Sequence, residues 1–485
     1  MPSFWVHTFG CQMNVHDSER MESVLQARGF TPAADLESSD LVVFNTCSVR
    51  ERAEQKLRSE VGKLKPLKRA RPGLVICVAG CVAQQEGERL LQQMPYVDLV
   101  VGPDNIPELP GLVLDQMGGA PPVARAAFDV AAPRFLAVAP AAGDAPASAY
   151  VTTMKGCDER CSFCVVPYTR GPERYRPHAE IVGEIQGLVA AGTREVVLLG
   201  QTVDSFHDPD LPPPESDDPD ESQFPHLLRA IAARVPTLAR LRYTSPHPRH
   251  ATASLARAHA ELDVLARHVH MPVQSGSDRI LKRMIRRYTR AEYVARMDRL
   301  RAARPGITLS TDVIVGFPGE TRQDYEATLS LVREVGFVSL FGFKYSPRPH
   351  TPALKLDDDV PEEEKSDRLT GLFELAEELT RAHLAALVGT RQEVLVEGPS
   401  KDDGEARAGV IHQGRTIRNE IVHVELPRDA VGAGALVSVT VTRAFRHSLA
   451  AELDADHAAA LPRRAPDPTK ASRRSLPLVR MEEPR

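Results

Sequence analysis

A repeated alternation of short apolar strands with helical stretches governs what this chain can fold into. Up to about residue 115, residues 4–9, 41–44, 74–78 and 99–101 read as strands. Between them Val49, Ala53, Leu57, Val61 and Leu64 recur at spacings of three and four, one apolar helical face. A further helix runs over 17–28 and stops at Gly29. Such alternation predicts an α/β protein whose N-terminal domain, 1–118, is a doubly wound parallel sheet. A second run begins near residue 150, with strands at 150–154, 195–199, 240–244, 267–271, 308–314 and 337–343. Six strand–helix units predict a central partial (β/α)6 barrel over 150–387, its chemistry at the C-terminal face of the strands.

The remaining segments have other characters. Residues 119–149 are Ala/Pro-rich without periodicity and read as a linker. The acidic, proline-heavy stretch 207–222 reads as a flexible surface insertion. Residues 392–397, 408–412, 419–426 and 436–443 alternate apolar and polar side chains between glycine-marked turns. They predict a small C-terminal β-barrel over 388–453, a fold that binds oligonucleotides or serves as an interaction module. Residues 454–485 read as a disordered tail. No basic region precedes an apolar core at Met1-Pro-Ser-Phe-Trp-Val, and no stretch reads as a membrane span. The expectation is a cytoplasmic protein without a membrane partner.

Cysteine placement narrows the chemistry. With no export signal, the seven cysteines argue for metal or redox chemistry rather than disulfides. Cys157, Cys161 and Cys164 form a C-x3-C-x2-C loop directly after the first barrel strand, with no fourth cysteine nearby. A structural zinc site wants four ligands, usually as two close pairs. A [4Fe–4S] cluster on three thiolates keeps one iron free for a small molecule. That is how radical enzymes bind S-adenosylmethionine. Three incidental cysteines or a partial zinc knuckle are the bland alternatives, and composition rarely puts three cysteines within eight residues. Cys11, Cys47 and Cys81 each follow one of the first three N-terminal strands. Such strand ends share one crevice in an open parallel sheet, so the three are expected to converge. Cys77 lies inside a strand and reads as a small core hydrophobe.

Other candidates line the predicted barrel mouth. Gly200, beside Gln201, would let a ligand approach the backbone or is a plain turn glycine. Gln274 and Ser275 follow the fourth strand, where they could hydrogen-bond a ribose, and Asp312 lies on the fifth. Phe163, between two cysteines, would pack on adenine or shield a cluster. Arg174 and Arg176 are candidates for a substrate phosphate, although surface arginines are common. His16, His178 and His270 read as hydrogen-bonded structural residues. The net charge of −5 leaves an RNA partner dependent on local basic patches. Two exist, at 63–71 and at 282–290, the second interleaving Tyr288 with Arg286 and Arg287. Charge runs are more often solvated helix faces.

Together these residues resemble the radical S-adenosylmethionine methylthiotransferases over nearly the whole chain to about Leu453. Thr8-Phe-Gly-Cys-Gln-Met-Asn14, Asn45-Thr-Cys-Ser-Val-Arg50 and Gly80-Cys-Val-Ala-Gln-Gln85 are similar to the family's N-terminal cluster motifs. Tyr150 to Gly171 resembles its radical-cluster segment. Glu397-Gly-Pro-Ser-Lys401, Gly414-Arg-Thr416 and His447-Ser-Leu449 resemble its C-terminal TRAM domain. The Gln-Met-Asn after Cys11 and the Val-Arg-Glu-Arg-Ala-Glu-Gln after Ser48 resemble the members acting on isopentenyladenosine of tRNA. Thr202, Asp204 and Phe206 stand where Asn, Asn and Tyr are expected, and Asn419-Glu420 where Asn-Arg is.

The resemblance implies two [4Fe–4S] clusters and S-adenosylmethionine as both radical source and methyl donor. Cys157, Cys161 and Cys164 would hold one cluster, and Cys11, Cys47 and Cys81 an auxiliary one. It implies sulfur and methyl insertion at carbon two of isopentenyladenosine through a 5′-deoxyadenosyl radical. The implied partners are the tRNA anticodon stem-loop, an electron donor such as a flavodoxin or ferredoxin, and a sulfur or iron–sulfur supply system. Lys401 and Arg415 join Arg174, Arg176, Arg286 and Arg287 as RNA contacts. Rival expectations are the same chemistry on threonylcarbamoyl-adenosine or a ribosomal-protein aspartate, a non-catalytic iron–sulfur RNA-binding module, and a zinc-dependent RNA-binding protein.

Overall fold

A computed structural model of the chain describes residues 1–48, 51–137, 145–401, 409–428 and 432–460. Val49 of the expected apolar helical face and residues 461–485 of the expected tail lie outside these.

The N-terminal unit is a sheet of six parallel strands, β1 (Ser3–Phe9), β2 (Thr31–Pro32), β3 (Leu41–Thr46), β4 (Val75–Gly80), β5 (Leu99–Val101) and β6 (Val123–Arg125), in the order β2-β1-β3-β4-β5-β6. Every residue of β3 and β4 is buried, as their near-continuous apolar runs require. Val42, Phe44, Ile76 and Val78 pack on one face with Leu57 and Val61 of the helix Glu51–Lys63. Leu41, Val43, Val75 and Cys77 pack on the other with Met21 and Leu25 of the helix Gln12–Ala27. The period-two alternation therefore serves two helical layers, and the sheet is doubly wound. The helix Gln12–Ala27 starts five residues earlier than its periodicity suggests, because its N-cap, Cys11, makes no side-chain cap that a sequence could signal. Strand β6 falls within the stretch expected to be a linker. It is three residues long, too short to show a period, and is recruited by pairing with β5.

The central unit comprises β7 (Ser148–Thr152), the ribbon of β8 (Met154–Lys155) and β9 (Arg174–Tyr175), then β10 (Glu195–Leu199), β11 (Arg240–Tyr243), β12 (His268–His270), β13 (Thr308–Val315) and β14 (Ser339–Lys344). The parallel sheets β7-β10-β11 and β12-β13-β14 meet at a bridge between Leu241 and Leu265. Six parallel strands thus run in chain order around an incomplete barrel. Val196, Leu198, Val269, Leu309 and Val313 join Ile181, Leu227, Leu255 and Met297 in the core beneath the helices. The alternate positions His268, His270 and Ser310 hydrogen-bond among themselves, at 3.0 Å and 2.8 Å.

The acidic insertion is fastened down, contrary to the expected flexibility. Asp208 bonds His178 Nδ1 at 2.9 Å, and Glu215 pairs with Arg229 and Arg257. Asp220 accepts from Arg249 Nε at 2.8 Å and from Arg296 at 3.0 Å. Composition shows the acids but not the separately folded arginines that meet them.

The C-terminal unit is a closed barrel of β15 (Arg391–Pro399), β16 (Val410–Thr416), β17 (Ile421–Leu426), β18 (Leu436–Ala444) and β19 (Leu449–Leu453), ordered β15-β16-β17-β19-β18. The fifth strand, β19, closes it by pairing parallel to β17 and antiparallel to β18. The turn between β16 and β17 stops the N-terminal end of the central barrel. Arg240 and Arg242 donate to the carbonyls of Arg415 (2.7 Å) and Thr416 (2.9 Å), and the Arg267 N–H to that of Ile417 (3.2 Å). Glu420 is buried there against His383 Nε2 at 2.8 Å, so the acidic residue replacing the expected Arg faces the protein interior. Among the described residues no helix is long and apolar enough to cross a membrane.

Candidate active site

Strand β7 and the ribbon after it deliver the C-x3-C-x2-C loop. Gly156 turns into it with φ 78°, and a Cβ there would lie 1.9 Å from the Pro172 carbonyl oxygen. Gly10 and Gly80, which precede Cys11 and Cys81, also have positive φ, 132° and 91°. Glycine before cysteine thus lets the chain leave a strand end sharply at three of the six candidate ligands. The Cys157 N–H donates to the Gly171 carbonyl (3.1 Å), and the Cys164 N–H to that of Cys161 (3.1 Å).

Each sulfur of this triad is buried or nearly so, and two have side-chain partners. Cys157 Sγ lies 2.9 Å from the Thr202 hydroxyl, and Arg286 Nη1 donates to Cys161 Sγ at 3.3 Å. Arg286 is itself held by the Pro272 carbonyl (2.8 Å) and by Tyr288 Oη (2.9 Å). Burial pushes the Cys157 thiol well up, against the Thr202 bond. Burial, then the neighbouring Cys161, pushes Cys164 up to about 12. These thiols stay protonated at neutral pH until positive charge arrives to displace the protons, as metal binding does.

The second triad assembles because β1, β3 and β4 are neighbours and Cys11, Cys47 and Cys81 follow their C-terminal ends. A Cβ on Gly10 would lie 2.4 Å from Cys47 Cβ, and one on Gly80 2.2 Å from Asn45 Oδ1. Asn45 donates to the Asn14 carbonyl (2.8 Å) and to Ser18 Oγ (2.9 Å), bracing the base of the site. A hydrogen bond from Cys47 draws the Cys11 thiol down to about 6, against burial. Burial pushes Cys81 up, and Arg170 pulls it back. Arg170 Nε donates to Cys81 Sγ at 3.2 Å, while its Nη2 bonds Asp17 Oδ2 at 2.6 Å.

Among the described residues no three His, Cys, Asp or Glu side chains are drawn tightly enough to hold a lone metal ion. Bonds of about 2.3 Å to a single centre demand that closeness. Each triad offers three free cysteine sulfurs, the thiolate donors that hold a [4Fe–4S] cluster. Cys77, buried inside β4 with its thiol pushed well up by burial, belongs to neither.

The other expected residues divide. Phe163 is half-buried against the apolar cluster of Ile280, Met284 and Phe317. Asp312 Oδ1 lies 3.3 Å from His270 Nε2. Gln274 sits at φ 72°, its N–H on the Asp312 carbonyl at 2.9 Å. Gly200 is required by packing, since a Cβ would lie 2.8 Å from Met154 Cγ and 2.9 Å from Val203 Cα. Next to it, both side-chain polar atoms of Gln201 are buried without a hydrogen-bond partner among the described residues. Ser275 is buried, with its hydroxyl 3.4 Å from that of Thr328 and accepting the Ser277 N–H.

Three of the expected RNA contacts lie inside the protein. Arg174 is buried on Asp104 and Asp129, both at 2.5 Å, and Arg176 on Glu180 and Glu184. Arg286 is spent on Cys161. Carboxylates and sulfur already satisfy these guanidiniums, so none is open to phosphate. Arg287, with φ 40°, is exposed and lines an open groove of about 540 Å³ with Lys282 and Tyr288. Lys401 is exposed, and Arg415 is tied to Glu397 at 2.9 Å. The sequence reading missed Thr202, Arg170 and Arg286 as sulfur partners. Thr202 had a signal, its place beyond the C-terminal end of β10, but contacts spanning 89 and 125 residues leave no local trace for the arginines.

A family described as "Uncharacterized protein family UPF0004" matches residues 3–102, and the Radical SAM superfamily matches residues 151–332. A tRNA-2-methylthio-N(6)-dimethylallyladenosine synthase of Sorangium cellulosum is 63% identical, covering 99% of this chain and 100% of its own length. One of the same name from Acidithiobacillus ferrooxidans is 44% identical over 93% of this chain and 96% of its own. One from Neisseria gonorrhoeae is 42% identical over 93% and 98%. The solved radical S-adenosylmethionine methyltransferase TsrM of Kitasatospora setae, with cobalamin and a [4Fe-4S] cluster bound, shares the fold with a TM-score of 0.51 at 15% identity. That match covers 73% of this chain and 77% of that one.

Proposed function

This chain belongs to the radical S-adenosylmethionine methylthiotransferases, with the tRNA-2-methylthio-N(6)-dimethylallyladenosine synthases, and we propose that its two cysteine triads form one two-centre active site for that reaction. It inserts sulfur and a methyl group at carbon two of isopentenyladenosine in tRNA. The observation that carries the two-centre reading is that Arg170, six residues after Cys164, reaches Cys81 of the other triad.

Cys157, Cys161 and Cys164 would hold a [4Fe–4S] cluster with one open iron, and Cys11, Cys47 and Cys81 an auxiliary cluster. When bound, the first would supply the one-electron reduction that S-adenosylmethionine cleavage needs, and the second would carry the sulfur. The aromatic C–H at carbon two offers neither an acidic proton nor a leaving group, so the chain's residues orient and enclose rather than act as acid or base. Asp312, Gln274 and the Gly200–Gln201 corner line the cofactor side, with Phe163 covering the cysteine loop. Arg287 and Lys282, beside the Cys161 loop, and Lys401 and Arg415 on the C-terminal barrel would take RNA phosphates, letting an unpaired base be splayed into the site. The reaction further calls for a low-potential electron donor of the flavodoxin or ferredoxin kind, a sulfur supply and a cytoplasmic setting.

Mass spectrometry of tRNA nucleosides from cells with and without the gene tests the substrate. The 2-methylthio nucleoside should vanish and its isopentenyl precursor accumulate; an unchanged profile overturns the reading. Alanine at any of the six cysteines should reproduce the loss.

A further inference from the structure

The short helix Val166–Arg170 begins two residues after Cys164 and ends beside the other triad. The side chain of Arg170 is 7% exposed and points out of the central unit into the N-terminal one. There Nε donates to Cys81 Sγ at 3.2 Å, and Nη2 is fixed by Asp17 Oδ2 at 2.6 Å. The next residue, Gly171, turns at φ 74° and accepts the Cys157 N–H at 3.1 Å. Two consecutive residues therefore grip one cysteine of each triad. Nothing in the reaction consumes a proton from a guanidinium, so the role of Arg170 lies elsewhere.

We propose that Arg170 is a positioning residue of the auxiliary site: it donates to the Cys81 sulfur from the neighbouring unit, raises the reduction potential of the cluster held there, and registers that cluster to the radical-cluster loop. A cationic donor stabilises the more negative, reduced form of a thiolate-ligated cluster, and hydrogen bonds to sulfur are a recognised lever on potential. Asp17 partly offsets the charge and fixes its direction. The inference rests on Cys11, Cys47 and Cys81 being cluster ligands.

The test is a potentiometric titration, followed by electron paramagnetic resonance, of the full-length reconstituted protein. The auxiliary signal is the one that S-adenosylmethionine does not alter. R170Q should shift the reduced-to-oxidised ratio of that cluster about tenfold toward oxidised, 59 mV for a one-electron couple. R170K, which keeps the charge, should recover most of the shift, and D17N should move the midpoint the opposite way. A structural role alone would send both variants in the same direction or leave the potential still. Should R170Q fold poorly with Asp17 left unpaired, R170Q/D17N compared with D17N gives the same readout. An unmoved midpoint at about eight irons per chain overturns the role of Arg170. About four irons in the wild type, with C11A losing none, instead overturns the auxiliary cluster itself.

Discussion

Asp204 is fully buried, its Oδ1 accepting the His247 N–H at 2.7 Å and its Oδ2 without a partner among the described residues. Burial holds its pKa well above the ordinary value, so the native state keeps it protonated while the unfolded chain ionises it above about pH 4. The folded form then binds more protons than the unfolded one. Stability falls as pH rises through that window, by about 1.4 kcal/mol per unit. D204N keeps the Oδ1 acceptor and removes the ionisation. It should raise the melting temperature, by more at pH 8 than at pH 5; an equal change at both would refute the account. Here the sequence was informative, since Asn is what the resemblance leads one to expect at 204. It was silent on Arg174 and Arg176: a guanidinium destined for a buried carboxylate carries the same local signature as one on the surface. The placement of Cys11, Cys47 and Cys81 was legible because each follows a strand end that an apolar run reveals, and that of Cys157, Cys161 and Cys164 because their spacing puts them on one loop.

Elements show how the cysteine loop is braced. The insertion's Asp220 holds Arg249, and Arg249 Nη1 holds Glu159 Oε1 at 3.0 Å, between Cys157 and Cys161. D220N weakens two charge-assisted hydrogen bonds, each worth about 1.5–3 kcal/mol. It should make the radical cluster lose iron faster to a chelator while the proposed auxiliary cluster holds; an unchanged rate of loss from the radical cluster would refute the chain of contacts. The longer strands declared themselves by period, except the five-residue β19, which closes the C-terminal barrel without having been read from the sequence. Strands β2 and β6 did not: they are two and three residues long, carry no apolar run (Thr31–Pro32, Val123–Arg125), and are recruited by pairing. The insertion was misread for a related reason: its order comes from arginines on helices that composition cannot place next to it.

At the scale of the whole molecule the C-terminal barrel is a stopper under the central one. Arg240 is 1% exposed and its acceptors, the Arg415 carbonyl and Glu393, come from the C-terminal unit. A chain ending at residue 387 would strip those acceptors from Arg240 and the Thr416 carbonyl from Arg242. It should melt at a lower temperature than the full chain, which should show the two barrels unfolding in one calorimetric transition; two separate transitions would refute the coupling. The opposite end is joined as firmly. Arg20 meets Glu184 at 3.0 Å, Lys155 and Arg174 share Asp104, and Arg170 spans Asp17 and Cys81. Because one guanidinium belongs both to the seam between units and to the surroundings of a proposed ligand sulfur, loading of the proposed auxiliary cluster and closure of that seam would be thermodynamically linked. By reciprocity, whatever factor closure adds to cluster affinity, the cluster returns to closure. If Cys11, Cys47 and Cys81 hold the proposed cluster, a chain emptied of iron there also holds its first two units together less tightly.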